Sequence, residues 1–504
     1  MQIVTANELY EIDRFTMNEI GIPGILLMEN AGQAFTRKAL DYLNEGDKIL
    51  ILIGTGNNGG DGFVITRVLK SLGFNVDAVL IPKKEKITGD ALVHLTALER
   101  SGYTVKPFTT VQCLQNYDVI IDAMLGIGLK GNLKSPYQEV IAACNECDAV
   151  KLSVDIPSGV TADGNQPIEL AFKANVTITL HLPKLSAFTF PARDFYGELE
   201  VVSIGIPPKA SESVETMRKC WTKQDVCNSI PLRSSSSHKG DYGKGLIIGG
   251  SNSMSGAPIL TTKASLRAGG GLITLAIPDV IHSTVASQVV EAMFSPWSSE
   301  LGYFSGEIGL DLSKFNSIAF GPGMGREKGG EIILSELLDT FQAPLIVDAD
   351  GLFYLTSPKL KEKLKQRLAP TVLTPHSGEM ARLLNFSVKE LEQNRFEYSR
   401  KFAMEYGVFL VLKGPYSIVT TPSGEQYINT TGNPALAKGG TGDVLTGIIL
   451  AFVMGHSNLQ EAISNAVYVH GKAAEELVAQ NHSMVDVLAT DVINALPLVF
   501  RTFF

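Results

Sequence analysis

Between Gly432 and Asp443 the chain reads Gly432-Asn433-Pro434-Ala435-Leu436-Ala437-Lys438-Gly439-Gly440-Thr441-Gly442-Asp443, and Val444-Leu445-Thr446-Gly447-Ile448-Ile449-Leu450 follows without a break. A glycine turn that opens an apolar helix bares backbone N–H groups, and the positive end of the helix dipole adds to them. Such a stretch suits an anion. Asp443, in the first helical turn, is placed to take a proton from a hydroxyl beside a bound phosphate. The plainer alternative is a linker whose Asp caps the helix. A cap needs only Asp or Ser, however, and gives no reason for glycine at 439, 440, 442 and 447. The expectation is a phosphoryl-handling site.

A second set of chemical groups lies in the first half. Lys48-Ile49-Leu50-Ile51-Leu52-Ile53 reads as a buried strand, then come the loop Gly54-Thr55-Gly56-Asn57-Asn58-Gly59-Gly60-Asp61-Gly62, a helix over Phe63–Leu72 and a strand over Val76–Ile81. Strand, glycine loop, helix and strand begin a doubly wound sheet. Gly54, Gly56 and Gly59 satisfy the dinucleotide spacing, but Val79-Leu80-Ile81-Pro82 stands where the ribose-binding acid belongs. The loop therefore reads as a ligand pocket and not as a hydride-transfer site. Two more apolar strands end in acids, at Asp122 and at Asp155. One such acid would be an ordinary cap. Three after successive strands predict that Asp61, Asp122 and Asp155 face one crevice beyond the carboxyl edge of the sheet. Clustered carboxylates need a cation or raised pKa values, and oxygens from Asn58, Asp122 and Ser158 would suit a hard cation.

The elements that must hold these groups follow from periodicity. Met1–Leu43 reads as two helices broken at Gly21-Ile22-Pro23-Gly24, with Leu9, Ile12, Phe15 and Ile20 inward and Glu8, Asp13 and Arg14 exposed. Lys209–Glu215 is polar and featureless and reads as the linker, which divides the chain into domains 1–213 and 214–504. In the second half, strands ending at Gly249, Phe320, Asp348, Thr374 and Leu412 alternate with helices. The expected fold is α/β: two three-layer α/β/α domains, the first with a Rossmann-like sheet. The run Ser234-Ser235-Ser236-Ser237 reads as an ordinary loop.

At 504 residues the chain exceeds one ordinary core, and 45% hydrophobic with 19% charged residues describes a packed enzyme. A formal charge of −9 speaks against nucleic acid and anionic membranes as partners. Five scattered cysteines, among them Cys113 and the pair Cys144 and Cys147, make neither a disulfide framework nor a zinc site. The N-terminus has no signal-peptide pattern and Ile448–Met454 is too short to span a bilayer, so a cytoplasmic location is expected. Sheet enzymes of this size commonly assemble symmetrically, which predicts a homo-oligomer.

Gly56-Asn57-Asn58-Gly59-Gly60-Asp61-Gly62, Asp122-Ala123-Met124-Leu125-Gly126-Ile127-Gly128 and Asp155-Ile156-Pro157-Ser158-Gly159 together resemble the NAD(P)H-hydrate epimerase family. The resemblance implies that Asn57, Asn58, Gly59, Gly60, Asp61, the run Gly126-Ile127-Gly128-Leu129-Lys130-Gly131-Asn132 and Asp155 hold the hydrated cofactor NADHX or NADPHX. It further implies potassium (K+) on Asn58, Asp122 and Ser158. Asp155, at a strand tip, is the expected acid–base residue.

The Gly-Thr-Gly-Asp turn and Thr374-Pro375 resemble the ribokinase-like superfamily, which implies that kind of sheet in the second domain. Sugar and vitamin kinases usually follow Thr-Pro with Asn-x-x-Glu, where this chain has His376-Ser377-Gly378-Glu379. With Ser237-His238-Lys239-Gly240-Asp241-Tyr242-Gly243 and Gly321-Pro322-Gly323, that departure is similar to NAD(P)H-hydrate dehydratase, in which Pro commonly stands at the place of Ser377. The resemblance implies a lyase that uses nucleotide phosphate, ADP with Mg2+, to activate a hydroxyl. Asp443 would be the base, and Ala257, Gly323 and His376 would contact the hydrate. Lys413-Gly414-Pro415-Tyr416-Ser417 and Gly439-Gly440-Thr441-Gly442 would hold the nucleotide. A kinase of a vitamin-precursor alcohol and a non-catalytic binding module are the competing readings.

Overall fold

A strand apolar on both faces is stable only when both faces are covered. The computed structural model describes residues 1–81, 83–109 and 114–503; Pro82 and Cys113 lie outside them. Its contacts divide the chain into two units, Gln2–Thr216 and everything from Met217 on, with Met1 assigned to the latter.

The first unit is built on seven strands, all parallel, in the spatial order Val105–Pro107, Asn75–Leu80, Lys48–Ile53, Val119–Ala123, Val150–Val154, Val176–Leu180, Glu198–Val202. Ile49, Ile51 and Ile53 join one apolar cluster with residues of helices Ala6–Phe15, Gly24–Ala39, Asn57–Ser71 and Gly89–Arg100, while Leu50 and Leu52 join another on the opposite face. Strand order reverses between Lys48–Ile53 and Val119–Ala123, and a reversal of this kind opens a ligand crevice at the carboxyl ends.

The glycine stretch differs from the expected loop. The helix starts at Asn57 and not at Phe63, so Asn57 to Gly62 are its opening turns. A Cβ at Gly59 would lie 2.0 Å from the Gly54 carbonyl oxygen, and one at Gly60 would lie 2.3 Å from Met28 Sδ. These glycines let the helix approach the strand and the neighbouring helix, a role that loop chemistry hides.

In the second unit ten strands run, in space, Met293–Trp297, Leu272–Pro278, Lys244–Ile248, Ser317–Phe320, Leu345–Val347, Thr371–Leu373, Phe409–Leu412, Ile418–Thr420, Gln426–Asn429, Arg218–Trp221. The first seven are parallel; Ile418–Thr420 pairs antiparallel with both its neighbours. One face packs Ile247, Leu275, Ile346, Val372 and Val411 with helices Gly256–Arg267, Thr441–Gly455, Leu459–Gln480 and Ala489–Phe500. The alternate residues Leu246, Ile248, Ile318, Phe320 and Leu373 are buried too. A Cβ at Gly447 would sit 2.1 Å from the Thr261 carbonyl oxygen, so this glycine permits the close approach of helices Thr441–Gly455 and Gly256–Arg267. The stretch read as featureless contains a short helix, Pro208–Glu212, fixed by the fully buried Ala210. Among the described residues no helix is long and apolar enough to cross a membrane.

Candidate functional site

In the first unit the three strand-end acids separate into two networks. Asp122 is completely buried and accepts from Ser158 N (2.7 Å), Ser158 Oγ (2.6 Å) and Met124 N (3.1 Å). Burial outweighs those bonds and pushes its carboxyl up to about 6. Leu125 ties the second strand end to the first: its N–H donates to Ser158 Oγ at 2.9 Å, and its carbonyl accepts from Asn58 Nδ2 at 2.9 Å. Asn58 Oδ1 is then left buried with no hydrogen-bond partner among the described residues. Leaving a buried acceptor unmet costs about 1–3 kcal/mol, so an orphaned oxygen at a sheet's reversal point fits a cation ligand. The donor set around it, one amide oxygen, one carboxylate and one hydroxyl, is hard and suits potassium.

Asp61 and Asp155 form the other network, and it has two members that sequence reasoning missed. Lys184 is 0% exposed and is ion-paired with Asp155 Oδ1. Asp13, expected at the surface, is half-buried and feels the charges of both Lys184 and Asp155. Burial is the main reason its carboxyl is pushed up to about 6. The same desolvation, with Asp155 adding to it, holds Asp61 well above the usual carboxylate range. A lysine two residues after the strand extension Leu180-His181-Leu182 carried no signal of its own. Only its burial identifies it.

The remaining residues expected in this crevice are spread around it. Asn57 is exposed at the helix start and Gly59 and Gly60 are buried in packing. A Cβ at Gly126 would meet Asn58 Cβ at 3.3 Å, and one at Gly128 would meet the Tyr10 hydroxyl at 3.3 Å. Ile127 packs on the apolar cluster below, while Lys130, Gly131 and Asn132 stand out in solvent, with Leu129 half-buried.

The second unit gathers its acids around one lysine. Lys413, just past strand Phe409–Leu412, donates to Asp348 Oδ1 at 2.8 Å, and Thr446 Oγ1 donates to Asp348 Oδ2 at 2.6 Å. Burial alone would raise Asp348, but Lys413, Thr446 and Thr374 hold its carboxyl below the ordinary value. Asp443 lies within reach of the same charges. Desolvation first, then repulsion from Asp348, pushes it up to about 7, and Lys413 acts the other way. Glu379 is also raised, chiefly by burial. A Cβ on Gly442 would meet nothing but Lys413 Nζ, at 3.4 Å, so the lysine lies beside the opening turn of helix Thr441–Gly455. Gly440, at φ 90°, serves as its N-cap. Thr441 Oγ1 is tied down to the Leu436 and Lys438 carbonyls, both at 2.9 Å. Gly439 has open space around its Cα.

His376 is the N-cap of helix Ser377–Leu384: its Nδ1 accepts from Gly378 N at 3.0 Å, and Glu379 Oε2 accepts from its backbone N–H at 2.9 Å. Its side chain is 59% exposed; the imidazole caps through Nδ1, and Nε2 lies 3.5 Å from Glu379 Oε1. His376 bridges to Lys413 through the backbone, with Lys413 N donating to Pro375 O at 2.8 Å. The Lys413–Ser417 loop is held by Arg395, 1% exposed, which donates to Pro415 O at 2.9 Å and Lys413 O at 3.3 Å. Gly414 and Tyr416 have positive φ, 150° and 56°. A Cβ at Gly323 would touch Ala257 Cβ at 2.8 Å, and Leu260, one turn further along that helix, lies against Gly440. Asp348 and Arg395 were not anticipated as site residues. The first had a signal, since an acid ends an apolar strand there; a buried arginine opening helix Arg395–Tyr406 had none.

A sequence model of the family described as NAD(P)H-hydrate dehydratase matches residues 245–498, and one described as YjeF-related protein N-terminus matches residues 25–186. A bifunctional NAD(P)H-hydrate repair enzyme of Thermofilum pendens is 35% identical over 99% of this chain and 96% of its own. Another, of Moorella thermoacetica, is 36% identical over 99% and 97%. Among solved structures, an ADP/ATP-dependent NAD(P)H-hydrate dehydratase from Bacillus subtilis, co-crystallized with ATP and Mg2+, is 33% identical with a TM-score of 0.51. It covers 56% of this chain and 98% of its own.

Proposed function

Since this chain belongs to the bifunctional NAD(P)H-hydrate repair enzymes, with an epimerase part in front and a dehydratase part behind, we propose how its residues divide that work. In the second unit the amides of Gly439 to Gly442 and the Lys413 ammonium receive the phosphates of ADP, and the Lys413–Ser417 loop holds the rest of the nucleotide. Asp443 takes the proton of the hydrate's C6 hydroxyl as that oxygen attacks the terminal phosphoryl group. AMP leaves. The phosphorylated oxygen then departs as phosphate, with the ring nitrogen's lone pair expelling it. Loss of a C5 proton restores the reduced nicotinamide. Ala257, Gly323 and His376 line the place of the hydrate. Asp348, Asp443 and Glu379 are the carboxylates that would hold Mg2+ brought by the nucleotide, and the ion would supply positive charge against the phosphates. The single observation carrying this is the Lys413–Asp348 pair beside Gly442 and Asp443, which sets a fixed cation and a poised base at a helix N-terminus.

In the first unit Asp155 serves as the acid–base residue, and the orphaned Asn58 Oδ1 with Asp122 and Ser158 would hold potassium. There the cation would supply fixed positive charge to a crevice lined with acids. Asn57, Gly59, Gly60, Asp61 and the Gly126–Asn132 loop would frame the hydrated cofactor. The four described cysteines are free, which suits the reducing cytoplasm, and a symmetric homo-oligomer is the assembly that sedimentation should find.

The test is an epimeric mixture of hydrated NADH given to the enzyme with ADP and Mg2+, followed by the absorbance of reduced nicotinamide. Full recovery supports both activities. Recovery that stops at one epimer leaves only the dehydratase, and no recovery refutes the assignment.

A further inference from the structure

The sheet of the first unit ends in two adjacent turns of an uncommon kind. Ile156 N donates to Val154 O at 2.8 Å around Asp155, whose φ is 69°, and Leu182 N donates to Leu180 O at 2.8 Å around His181, whose φ is 64°. Both are three-residue γ-turns with positive central φ, a rare and strained form that persists only where the surroundings impose it. The second turn sends the chain back so that Lys184 meets Asp155.

The two oxygens of Asp155 are not equivalent. Oδ1 accepts from Leu180 N (2.9 Å), from Thr179 Oγ1 (3.1 Å) and from the Lys184 ammonium. Lys184 also donates to Thr179 Oγ1 at 3.0 Å and to Leu180 O at 3.1 Å, so its three N–H groups are used within the protein. Oδ2 accepts no hydrogen bond among the described residues, and neither does the buried Asp61 facing it electrostatically. His181, which burial pushes down to about 4, is a neutral neighbour occupied with Ser211 Oγ at 2.9 Å. Tyr10 is raised by burial and by Asp13 and stays a phenol.

We infer that Asp61 and Asp155 form an acid–base pair in the epimerisation, Asp61 as the acid and Asp155 Oδ2 as the base, with Lys184 and Asp13 as positioning residues. The inference rests on the first unit being the epimerase. A nearby like charge disfavours ionisation of a second buried carboxylate, and a cation bonded to one of the two favours the charged form of that one. Lys184 is bonded to Asp155 and makes no bond to Asp61, so the cation's attraction is spent on the Asp155 carboxylate. Burial, Asp155 and Asp13 together hold Asp61 well above the usual carboxylate range, which keeps the acid loaded. In the reaction Asp155 removes the proton of the C6 hydroxyl, the C6–N1 bond breaks, and Asp61 protonates N1, leaving an aldehyde at C6. Rotation about C5–C6 turns the other carbonyl face to N1. The bond then re-forms, the N1 proton returns to Asp61, and Asp155 returns its proton to the oxygen. Atoms, electrons and protons balance without a co-reactant.

The experiment measures interconversion of the two NADHX epimers, without nucleotide, in the full chain across pH. Asp61→Asn, which mimics the protonated carboxyl in shape and charge, should lower the rate by about 10²- to 10⁴-fold. Asp13→Asn removes a charge that raises Asp61, so the alkaline limb of its pH profile should move to lower pH whatever the height of that profile. A merely structural role for Asp13 would not shift that limb. Asp61→Asn at wild-type rate, or an alkaline limb unmoved in Asp13→Asn, overturns the pair while leaving the epimerase assignment standing. A wild-type chain that does not interconvert the epimers at all overturns that assignment itself.

Discussion

Replacing Asp443 by Asn should remove activity and add stability in one step. Its carboxyl sits at about 7 in the folded protein against 3.8 in an unfolded chain, mainly because burial desolvates it. A raised carboxyl means that between those two values the folded state binds more protons than the unfolded one. Stability therefore falls as pH climbs from about 4 to about 7 and is level outside that window. Three units or so at 1.36 kcal/mol each amount to ~4 kcal/mol of strain at neutral pH. Asparagine has nothing to ionise and should escape it. The variant's second unit should unfold at the wild-type temperature near pH 4 and about 8 °C higher at pH 8, taking roughly 2 °C per kcal/mol for a unit of this size. Thermal scans over pH 4 to 8 check this, the transition of the second unit being the one that ADP raises. Dehydration by the same variant should fall about 10²- to 10⁴-fold. The wild-type rate should drop tenfold for each pH unit below about 7, since only the ionised carboxyl is a base. A variant no more stable than wild type at pH 8, or a wild-type rate flat from pH 5 to 7, would refute the argument.

Lys413→Met should destabilise the second unit by about 3–5 kcal/mol, because it strands the buried Asp348 carboxylate, and denaturant unfolding reads that directly. Lys413 also lowers Asp443, so any residual activity should show its acid limb at higher pH. Asn58→Ala should abolish the response of epimerisation to added KCl, measured against choline chloride, and leave dehydration untouched; an unchanged response would remove potassium from that site. The two sites' glycines should part company under alanine. Gly59→Ala drives a Cβ to 2.0 Å from the Gly54 oxygen and should cost about 1–3 kcal/mol or more in stability. Gly442→Ala meets only the flexible end of Lys413 and should change stability by less than ~0.5 kcal/mol while raising KM for ADP.

Much of the scaffold could be read from apolar runs alone. Strands such as Lys48–Ile53 and Leu345–Val347 are apolar on both faces, a pattern that leaves parallel sheets with helices on each side as the natural outcome. The Gly432–Asp443 turn suggested its chemistry because anion binding needs bare N–H groups and little else. The full-length likeness to bifunctional repair enzymes spans both units, which a vitamin kinase with an appended sensor would not show. Where glycine had a packing reason, the reading slipped. Gly59, Gly60 and Gly62 looked like loop residues because sequence shows the absence of a side chain but not the neighbour that requires it. The short helix Pro208–Glu212 escaped notice for the converse reason. Its helical ordering comes from one buried alanine in an otherwise polar stretch.

The hidden part of the first unit's charged cluster has a physical explanation of its own. A lysine or a helix-face aspartate reads as solvated because most are, and Asp13 lies on a helix whose charged neighbours Glu11 and Arg14 are indeed exposed. What makes Asp13 and Lys184 different is distance in the fold: Lys184 lies twenty-nine residues from Asp155, and the contact depends on two positive-φ turns, at Asp155 and His181, that apolar patterning does not reveal. Burying a lysine with no partner is prohibitive, so Lys184 at 0% exposure requires Asp155, and Asp155 bonded to Lys184 leaves Asp61 to hold the proton. A chain selected for folding alone would have replaced the trio with apolar side chains, which commonly leaves stability unchanged or improves it. That they remain together at the reversal edge of the sheet is the reason to look for proton transfer there.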